Sequence, residues 1–224
     1  MPFAFLKSSV TAVVLAGGRA TRMGGLDKGL QLFNGVPLAQ HALQRLAPQV
    51  GHLVVSANRN LPAYEAFGVP VWPDDNTLGD FAGPLAGVIT GLKHCTTRFL
   101  LTVPCDAPLF PVDLAVRLAA GLVAASAQIA VASAPESHGL GKVMRKQPVF
   151  SLMEADILQS LLDYTYSGGR KVSDWMAAHQ VAQVAFNQSH DVPNAFFNAN
   201  TLADLKQIQV TTNTEYETNK PLAP

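Results

Sequence analysis

At 224 residues and 23.8 kDa, with 48% apolar and 14% charged residues, the chain has the composition of one core-rich domain and lies far from the disordered regime. Sixteen basic side chains balance sixteen acidic ones, so no net positive field is available to hold a polyanion, and no nucleic-acid partner is expected. Two cysteines, Cys95 and Cys105, are too far apart for a CxxC pair and too few for an oxidised secreted domain, so they read as free thiols in a reducing cytoplasm.

Lys7 ahead of the apolar run Val10 to Ala16 faintly copies a secretory leader, but cleavage there would destroy the best motif in the chain, and none is expected. The run Val10 to Leu15 is short and β-branched and ends in Ala16-Gly17-Gly18, which predicts a buried strand feeding a flexible loop. Leu38, Ala42 and Leu46 recur at helical spacing between Pro37 and Pro48, and a second strand follows at Leu53-Val54-Val55. Strand, helix and strand in this order make a βαβ unit, and strands this continuously apolar predict an α/β protein with a mostly parallel sheet covered on both faces. The alternation continues with a short strand from Val69 to Trp72, a helix from Pro84 through Leu92, a strand from Phe99 to Val103, a helix striped by Leu114, Leu118 and Leu122, and a strand from Gln128 to Ala132. Leu118 to Pro135 carries no charge, but its alanines and scattered Gly121, Ser126, Gln128 and Ser133 suit a buried helix and strand, so no membrane span is expected. Beyond it, Val149-Phe150 reads as a strand, Ile157 to Leu162 and Val172 to Ala178 as helices, and Val181 to Phe186 as an alternating strand. Thr201 to Asp204 resembles a capping box opening a last helix that ends near Ile208, and the polar stretch from Thr211 reads as a disordered tail. The expected organisation is a single domain over residues 1–210, in two halves at about 8–135 and 136–210, with a tail at 211–224.

The segment from Leu15 to Lys28 is the most informative in the chain. It combines four glycines, Gly17, Gly18, Gly24 and Gly25, with Arg22 and Lys28. Glycines let backbone N–H groups approach phosphate oxygens, and the two cations offset phosphate charge, so the loop reads as an anion cradle. It is neither the GxxxxGK[ST] loop of ATPases, because Lys28 lies between Asp27 and Gly29, nor the GxGxxG of dinucleotide oxidoreductases. The second chemical signal is Pro104-Cys105-Asp106-Ala107-Pro108, which puts Asp106 just past the carboxyl end of an apolar strand. In open α/β sheets that edge is where ligands bind, and Mg²⁺ beside a triphosphate is commonly held by one or two carboxylates together with phosphates and water. A turn or cap role before Pro108 is the plain alternative for Asp106.

LAGGxxxRMGGxDK resembles the signature loop of nucleotidyltransferases, and its doubled glycines with the Asp27-Lys28 ending resemble the molybdenum cofactor guanylyltransferases. PCDAP is similar to that family's PCDxP element, whose aspartate binds magnesium, and GPLAG at Gly83 to Gly87 and Phe197-Asn198-Ala199-Asn200-Thr201 match two further elements. The resemblance implies a Rossmann-like three-layer nucleotidyltransferase fold and transfer of GMP from GTP to molybdopterin with release of pyrophosphate. It implies Lys28, Arg22 and Asp106 as the catalytic set, with Asp106 holding Mg²⁺, and a nucleotide met by Leu15, Ala16, Gly17, Gly18, Lys28, Ser56, Asp74 and Asp106. Ser56 stands where the family often has asparagine, in an Asn-x-Asn pattern that here reads Ser56-Ala57-Asn58. Gly83, Pro84, Arg170, Asn198 and Asn200 fall on the pterin side by the same resemblance, against the plain alternatives of a capped helix at Pro84, a solvated turn at Arg170, and a cap for the last helix at Asn200 and Thr201. In Lys146-Gln147-Pro148, Gln147 stands where a histidine is sometimes found. The six histidines show no zinc spacing. Implied partners are GTP and molybdopterin as substrates, with transient contacts to molybdenum enzymes or chaperones. The rival readings are a cytidylyltransferase on the same pterin, a sugar-phosphate nucleotidyltransferase, and a non-catalytic nucleotide-binding adaptor.

Overall fold

The computed structural model describes residues 5–17, 26–74, 83–138, 141–201 and 203–208. The expected tail at 211–224, and Gly18 and Arg22 of the glycine loop, lie outside the described residues.

The first strand, β1 (Val10–Leu15), is buried at every position, as its unbroken apolar run requires of a strand covered on both faces. After the glycine loop comes a small hairpin, β2 (Leu32–Phe33) and β3 (Val36–Pro37), turned by Asn34 and Gly35 at φ of 49° and 79°. Helix α1 (Leu38–Leu46) follows, with Pro37 as its N-cap residue, then β4 (His52–Ser56), the short α2 (Leu61–Glu65) and β5 (Val71–Trp72). Helix α3 (Pro84–His94) leads to β6 (Phe99–Pro104), α4 (Leu114–Ala124), β7 (Ile129–His138) and β8 (Gly141–Glu154). Helices α5 (Leu158–Tyr166) and α6 (Val172–Met176), strand β9 (Val181–Ala185) and a helical turn at 203–208 complete the described chain.

Seven strands form one sheet in the order β5-β4-β1-β6-β8-β7-β9. Strands β5, β4, β1 and β6 pair in parallel, β8 pairs antiparallel with both β6 and β7, and β9 returns to the parallel sense beside β7. The mostly parallel sheet expected from the sequence is present, with β8 as the strand that runs against the rest. It is also far longer than the Val149-Phe150 read from the sequence, because its first half, from Gly141 to Gln147, is an exposed arm that pairs only with β7. Where β8 enters the sheet, Thr102 of β6 faces Ser151, and the Thr102 hydroxyl donates to the Val149 carbonyl at 2.7 Å, a buried polar lock on the register.

Two apolar clusters cover the sheet faces. On one, α1 and α4 pack through Ala39, Ala42, Leu46, Leu114, Leu118 and Leu122 against Val10, Ala12, Val14 and Leu101. On the other, α3, α5 and α6 bring Leu85, Ile89, Leu161 and Trp175 against Val13, Leu15 and Leu100. Gly87 and Gly91 fix how α3 lies. A Cβ at Gly87 would come 2.6 Å from the Leu15 side chain, and one at Gly91 would come 2.9 Å from Leu100. Helix and strand are therefore in contact along these positions, and the first turn of α3 stands level with the last residue of β1.

Candidate active site

The carboxyl ends of β5, β4, β1 and β6 share one rim, and the ladder continues past it: Ala16 donates to Ser56 O at 2.8 Å, Ala57 to Trp72 O at 3.1 Å, and Cys105 to Leu15 O at 3.1 Å. Because the Ala16 N–H is engaged in this way, its remaining main-chain group at the rim is the carbonyl. Two sets of polar side chains stand on this rim.

The first centres on Asp27 and Lys28, adjacent residues with opposite directions. Asp27 is buried and turns inward. Its carboxylate accepts from the Tyr64 hydroxyl at 2.6 Å, Asn60 Nδ2 at 2.9 Å and the Gly29 N–H at 3.2 Å, with Arg59 Nε at 3.5 Å. The bond to Gly29 caps the 3₁₀ turn Lys28–Leu30. Burial, with the Cys105 thiol and the Asp27 carboxylate nearby, pushes the Tyr64 phenol far above its ordinary range, so it keeps the proton it donates to Asp27. Gly29 is the residue the packing demands, since a Cβ there would lie 2.4 Å from the Tyr64 hydroxyl oxygen. With Asp27 held in this way, Lys28 emerges on the rim, where its Nζ meets Asp106 Oδ2 at 3.1 Å and donates to Asn200 Oδ1 at 2.8 Å.

Asp106 follows β6, and its carbonyl accepts from the Ala199 N–H at 2.8 Å, which ties the strand end to the returning C-terminal segment. Both charged partners are largely but not wholly enclosed, with side-chain exposures of 24% for Lys28 and 13% for Asp106. Asn200 has two roles. Its N–H and that of Thr201 donate to Asp204 Oδ2 at 2.9 Å each, and Asp204 N donates back to the Thr201 hydroxyl at 3.1 Å, which is the capping arrangement read from the sequence. Its side chain at the same time faces Lys28. The segment stays in place because Ala199, Leu205 and Ile208 pack on Phe33 and Leu38, giving the β2–β3 hairpin a structural purpose. Cys105 beside this group is buried, and that burial raises its thiol well above the ordinary range, leaving it a core residue.

The second set surrounds Asp74, just past β5. Asn58 Nδ2 donates to its Oδ2 at 2.6 Å, the Ser56 hydroxyl to its Oδ1 at 3.1 Å and the Thr90 hydroxyl to the same oxygen at 3.5 Å, while the Asp74 N–H donates to Asn58 Oδ1 at 2.7 Å. Ser56 and Asn58 thus reach the same carboxylate, so serine in place of asparagine keeps a hydrogen bond to it. Gly17 lies against this group, where a Cβ would come 3.3 Å from Asn58 Nδ2 and 3.6 Å from Asp74 Oδ2.

Beside the Lys28–Asp106 pair opens a cleft of about 550 Å³. Asn198 and Asn200, Phe196 and Phe197, and Glu136 and Gln147 of the β7–β8 arm are among its walls. Phe196 belongs to an aromatic chain, its ring 4.8 Å from that of Phe150 and 5.1 Å from that of Phe186, and Arg117 lies 3.8 Å over Phe186. Arg117 also pairs with Asp191 and donates to Ala185 O at 2.7 Å, so α4 holds the root of the segment that lines the cleft.

The structure therefore brings Lys28, Asp106 and Asn200 together, with Asn198 in the same cleft, and it groups Gly17, Ser56 and Asp74 on the neighbouring strands. Gly83 is the N-cap of α3, at φ of 138°, and Pro84 opens the helix; both stand near the rim through Gly87 but are not among the walls of the cleft. Arg170 lies in the α5–α6 turn on the other face of the sheet, where its guanidinium donates to the Gly169 and Thr165 carbonyls at 2.8 and 3.4 Å. Sequence reasoning missed Asp27 as an inward anchor, Asn58 and Thr90 as partners of Asp74, and Glu136. The pairing of Asn58 with Ser56 two residues earlier was available as a signal; the others emerge only from tertiary contact. Among the described residues no group of three or more His, Cys, Asp or Glu side chains could hold a metal ion, and no helix is long and apolar enough to cross a membrane.

Residues 12–184 match the model of the MobA-like NTP transferase domain. The molybdenum cofactor guanylyltransferase of Acidovorax ebreus is 57% identical over 203 residues, covering 89% of this chain and 95% of that one. Its counterpart in Bordetella petrii is 54% identical over 202 residues, covering 90% and 98%. Among solved structures, molybdopterin-guanine dinucleotide biosynthesis protein A from Archaeoglobus fulgidus superposes with a TM-score of 0.69 at 19% identity, covering 91% of this chain and 99% of that chain, a likeness of fold. With the glycine loop at the end of β1, Lys28 and Asp106 on one rim, and a match across most of its length, the chain belongs to the MobA-like NTP transferase family and is a nucleotidyltransferase.

Proposed function

We propose that this chain transfers the GMP moiety of GTP to the terminal phosphate of molybdopterin, forming the molybdopterin guanine dinucleotide and pyrophosphate. The observation that carries the reading is the Lys28–Asp106 pair on the rim, joined through Asn200 to the wall of the neighbouring cleft. The names of the relatives at 57% and 54% identity support it.

In this mechanism a phosphate oxygen of molybdopterin attacks the α-phosphorus of GTP in line with the bond to the β-phosphate. That bond breaks, and its electron pair leaves with pyrophosphate. A phosphate monoester is already a nucleophile, so the protein's contribution is positioning and charge stabilisation. Lys28 moves its ammonium from Asp106 to the triphosphate oxygens, where charge grows as the bond breaks. Arg22 and Gly18 are assigned to the same triphosphate, with the main chain of Leu15, Ala16 and Gly17 beside the nucleotide. Asp74, oriented by Ser56, Asn58 and Thr90, is assigned a sugar hydroxyl, an acceptor matched to a donor. Asn198 and Asn200 are assigned to the acceptor substrate in the cleft.

The donor set suits Mg²⁺. One carboxylate, that of Asp106, stands beside the amide oxygen of Asn200, and a hard cation held by one carboxylate completes its shell with phosphate and water. Bound there, the ion would neutralise triphosphate charge. Asp106 would hold it once Lys28 has turned to the phosphates. The reaction belongs in the cytoplasm, where the product is handed to molybdenum enzymes or their chaperones through transient contacts.

The test is pyrophosphate release from GTP, Mg²⁺ and molybdopterin, with CTP and ATP in parallel and nucleotide binding followed by calorimetry. Release with GTP alone is the expected result. Release with CTP, or GTP binding without any transfer to molybdopterin, would reject the reading in favour of a cytidylyltransferase or of an adaptor.

A further inference from the structure

One wall of the cleft is the outer half of the β7–β8 arm. The register slips between Val131 and Ala132, so that Val131 faces Ser151 but Ala132 faces Gln147. Beyond that slip Ala134, Glu136 and Gln147 all line the cleft. Glu136 is half exposed, yet its carboxylate is held from the neighbouring strand: Oε1 accepts from Gln147 Nε2 at 2.7 Å, and Arg145 Nε lies 3.4 Å from Oε2. In the same cleft Asn198 Oδ1 is buried and has no hydrogen-bond partner. The Glu136 carboxylate thus stands as an acceptor in the same cleft as the rings of Phe196 and Phe197, an environment for a flat heterocycle that carries N–H donors along one edge.

An aminopyrimidinone edge, with a ring N–H and an exocyclic amino group side by side, supplies two parallel donors to one carboxylate. Guanine and pterin both carry it. Strand order decides between them. In the order β5-β4-β1-β6-β8-β7, Asp74 after β5 and Glu136 on β7 lie on opposite sides of β1 and β6, the strands that lead to Gly17 and to Asp106. Asp74 and Gly17 take the nucleotide side, which leaves Glu136 for the other substrate.

We infer that Glu136, fixed by Gln147 and Arg145, reads the aminopyrimidinone edge of the pterin and selects the acceptor substrate. The assignment rests on molybdopterin being that substrate. Gln147 is then a positioning residue, because its amide sets the plane of the carboxylate.

The experiment compares wild type with Glu136→Gln, an isosteric change that puts an amide N–H₂ against the pterin donors. Steady-state transfer is measured with GTP, Mg²⁺ and molybdopterin, and inhibition by pterin is compared with inhibition by lumazine, in which an oxygen replaces the 2-amino group. The variant should raise the KM for molybdopterin at least about 10-fold, with the KM for GTP and kcat within about two-fold. Wild type should be inhibited about 10-fold more strongly by pterin than by lumazine, and the variant should lose that preference. An unchanged KM for molybdopterin, a rise in the KM for GTP instead, or equal inhibition of wild type by the two pteridines, including none by either, would overturn the inference while leaving the transfer reaction standing. Wild type that binds GTP but transfers nothing to molybdopterin would remove the reaction and this assignment together.

Discussion

Asp74 and Asp106 occupy equivalent places, each just past the carboxyl end of a parallel strand, yet they are answered by different chemistry. Asp74 is surrounded by neutral donors, two hydroxyls and an amide, that orient it without offsetting its charge. Asp106 is paired with the Lys28 ammonium. A carboxylate fixed by neutral groups keeps its acceptor capacity for a neutral ligand group such as a hydroxyl. A carboxylate paired with a lysine belongs to a charge arrangement that rearranges when a polyanion and a cation arrive together. In the proposed reaction the same rim separates recognition on the β4–β5 side from charge handling on the β1–β6 side.

The contrast breaks most readily at Lys28. Lys28→Ala should lower turnover by about 10² to 10³-fold, with the melting temperature little changed, because the residue faces the rim and not the core; near-normal turnover in a transfer assay would reject its role. Asp106→Asn should follow, reducing turnover by about 10²-fold and moving the magnesium dependence to higher concentration in a metal titration. Gly29→Ala probes the anchor beneath the pair. With Tyr64 in the way of its Cβ, the variant should lose about 1–3 kcal/mol of stability in denaturant melts and turnover with it, as the Asp27 anchor shifts. On the other side, Asp74→Asn should raise the KM for GTP by about 10-fold while kcat changes little. A fall in kcat equal to that of Asp106→Asn would erase the division between the two sides.

A third carboxylate, away from the rim, supplies the smallest effect. Burial raises the Asp191 carboxyl, but its hydrogen bonds from Arg117 and from the Gln188 N–H outweigh this and hold it below its ordinary value of 3.8. A lowered folded value means that the pair's stabilisation is complete above that unfolded value and is lost as pH falls through the folded one. The difference in melting temperature between wild type and Asp191→Asn should therefore stay flat from about pH 7 to pH 5 and shrink below about pH 4.

Much of this arrangement was written locally. Continuous apolar runs marked β1 and β6, helical spacing marked α1 and α4, and Gly17 and Lys28 marked the rim, because each depends on neighbours in sequence. β8 was visible only at Val149-Phe150, since its outer half carries Lys142, Arg145 and Lys146 with little apolar alternation, and its antiparallel sense is set by partners such as Thr102 and Ser151. The β2–β3 hairpin went unread, although its Asn34-Gly35 turn is a dipeptide suited to a tight hairpin. At the site, Asp27 and Lys28 read as one acidic and basic pair along the chain. Only tertiary contact with Tyr64 and Asn60 turns the aspartate inward and leaves the lysine to act. Thr90 and Glu136 meet their partners only across the fold, and nothing in their immediate sequence marks them, whereas Asn58 was signalled by Ser56 two residues earlier.

The central claim is that the rim at the ends of β1 and β6 grips a triphosphate through Lys28 and an ion on Asp106. A crystal structure with GTP and magnesium tests it most directly. The account predicts the triphosphate over the loop after β1, Lys28 Nζ turned from Asp106 onto phosphate oxygens, and the metal on the Asp106 carboxylate. A nucleotide bound away from this rim, with Lys28 still paired to Asp106, would contradict it.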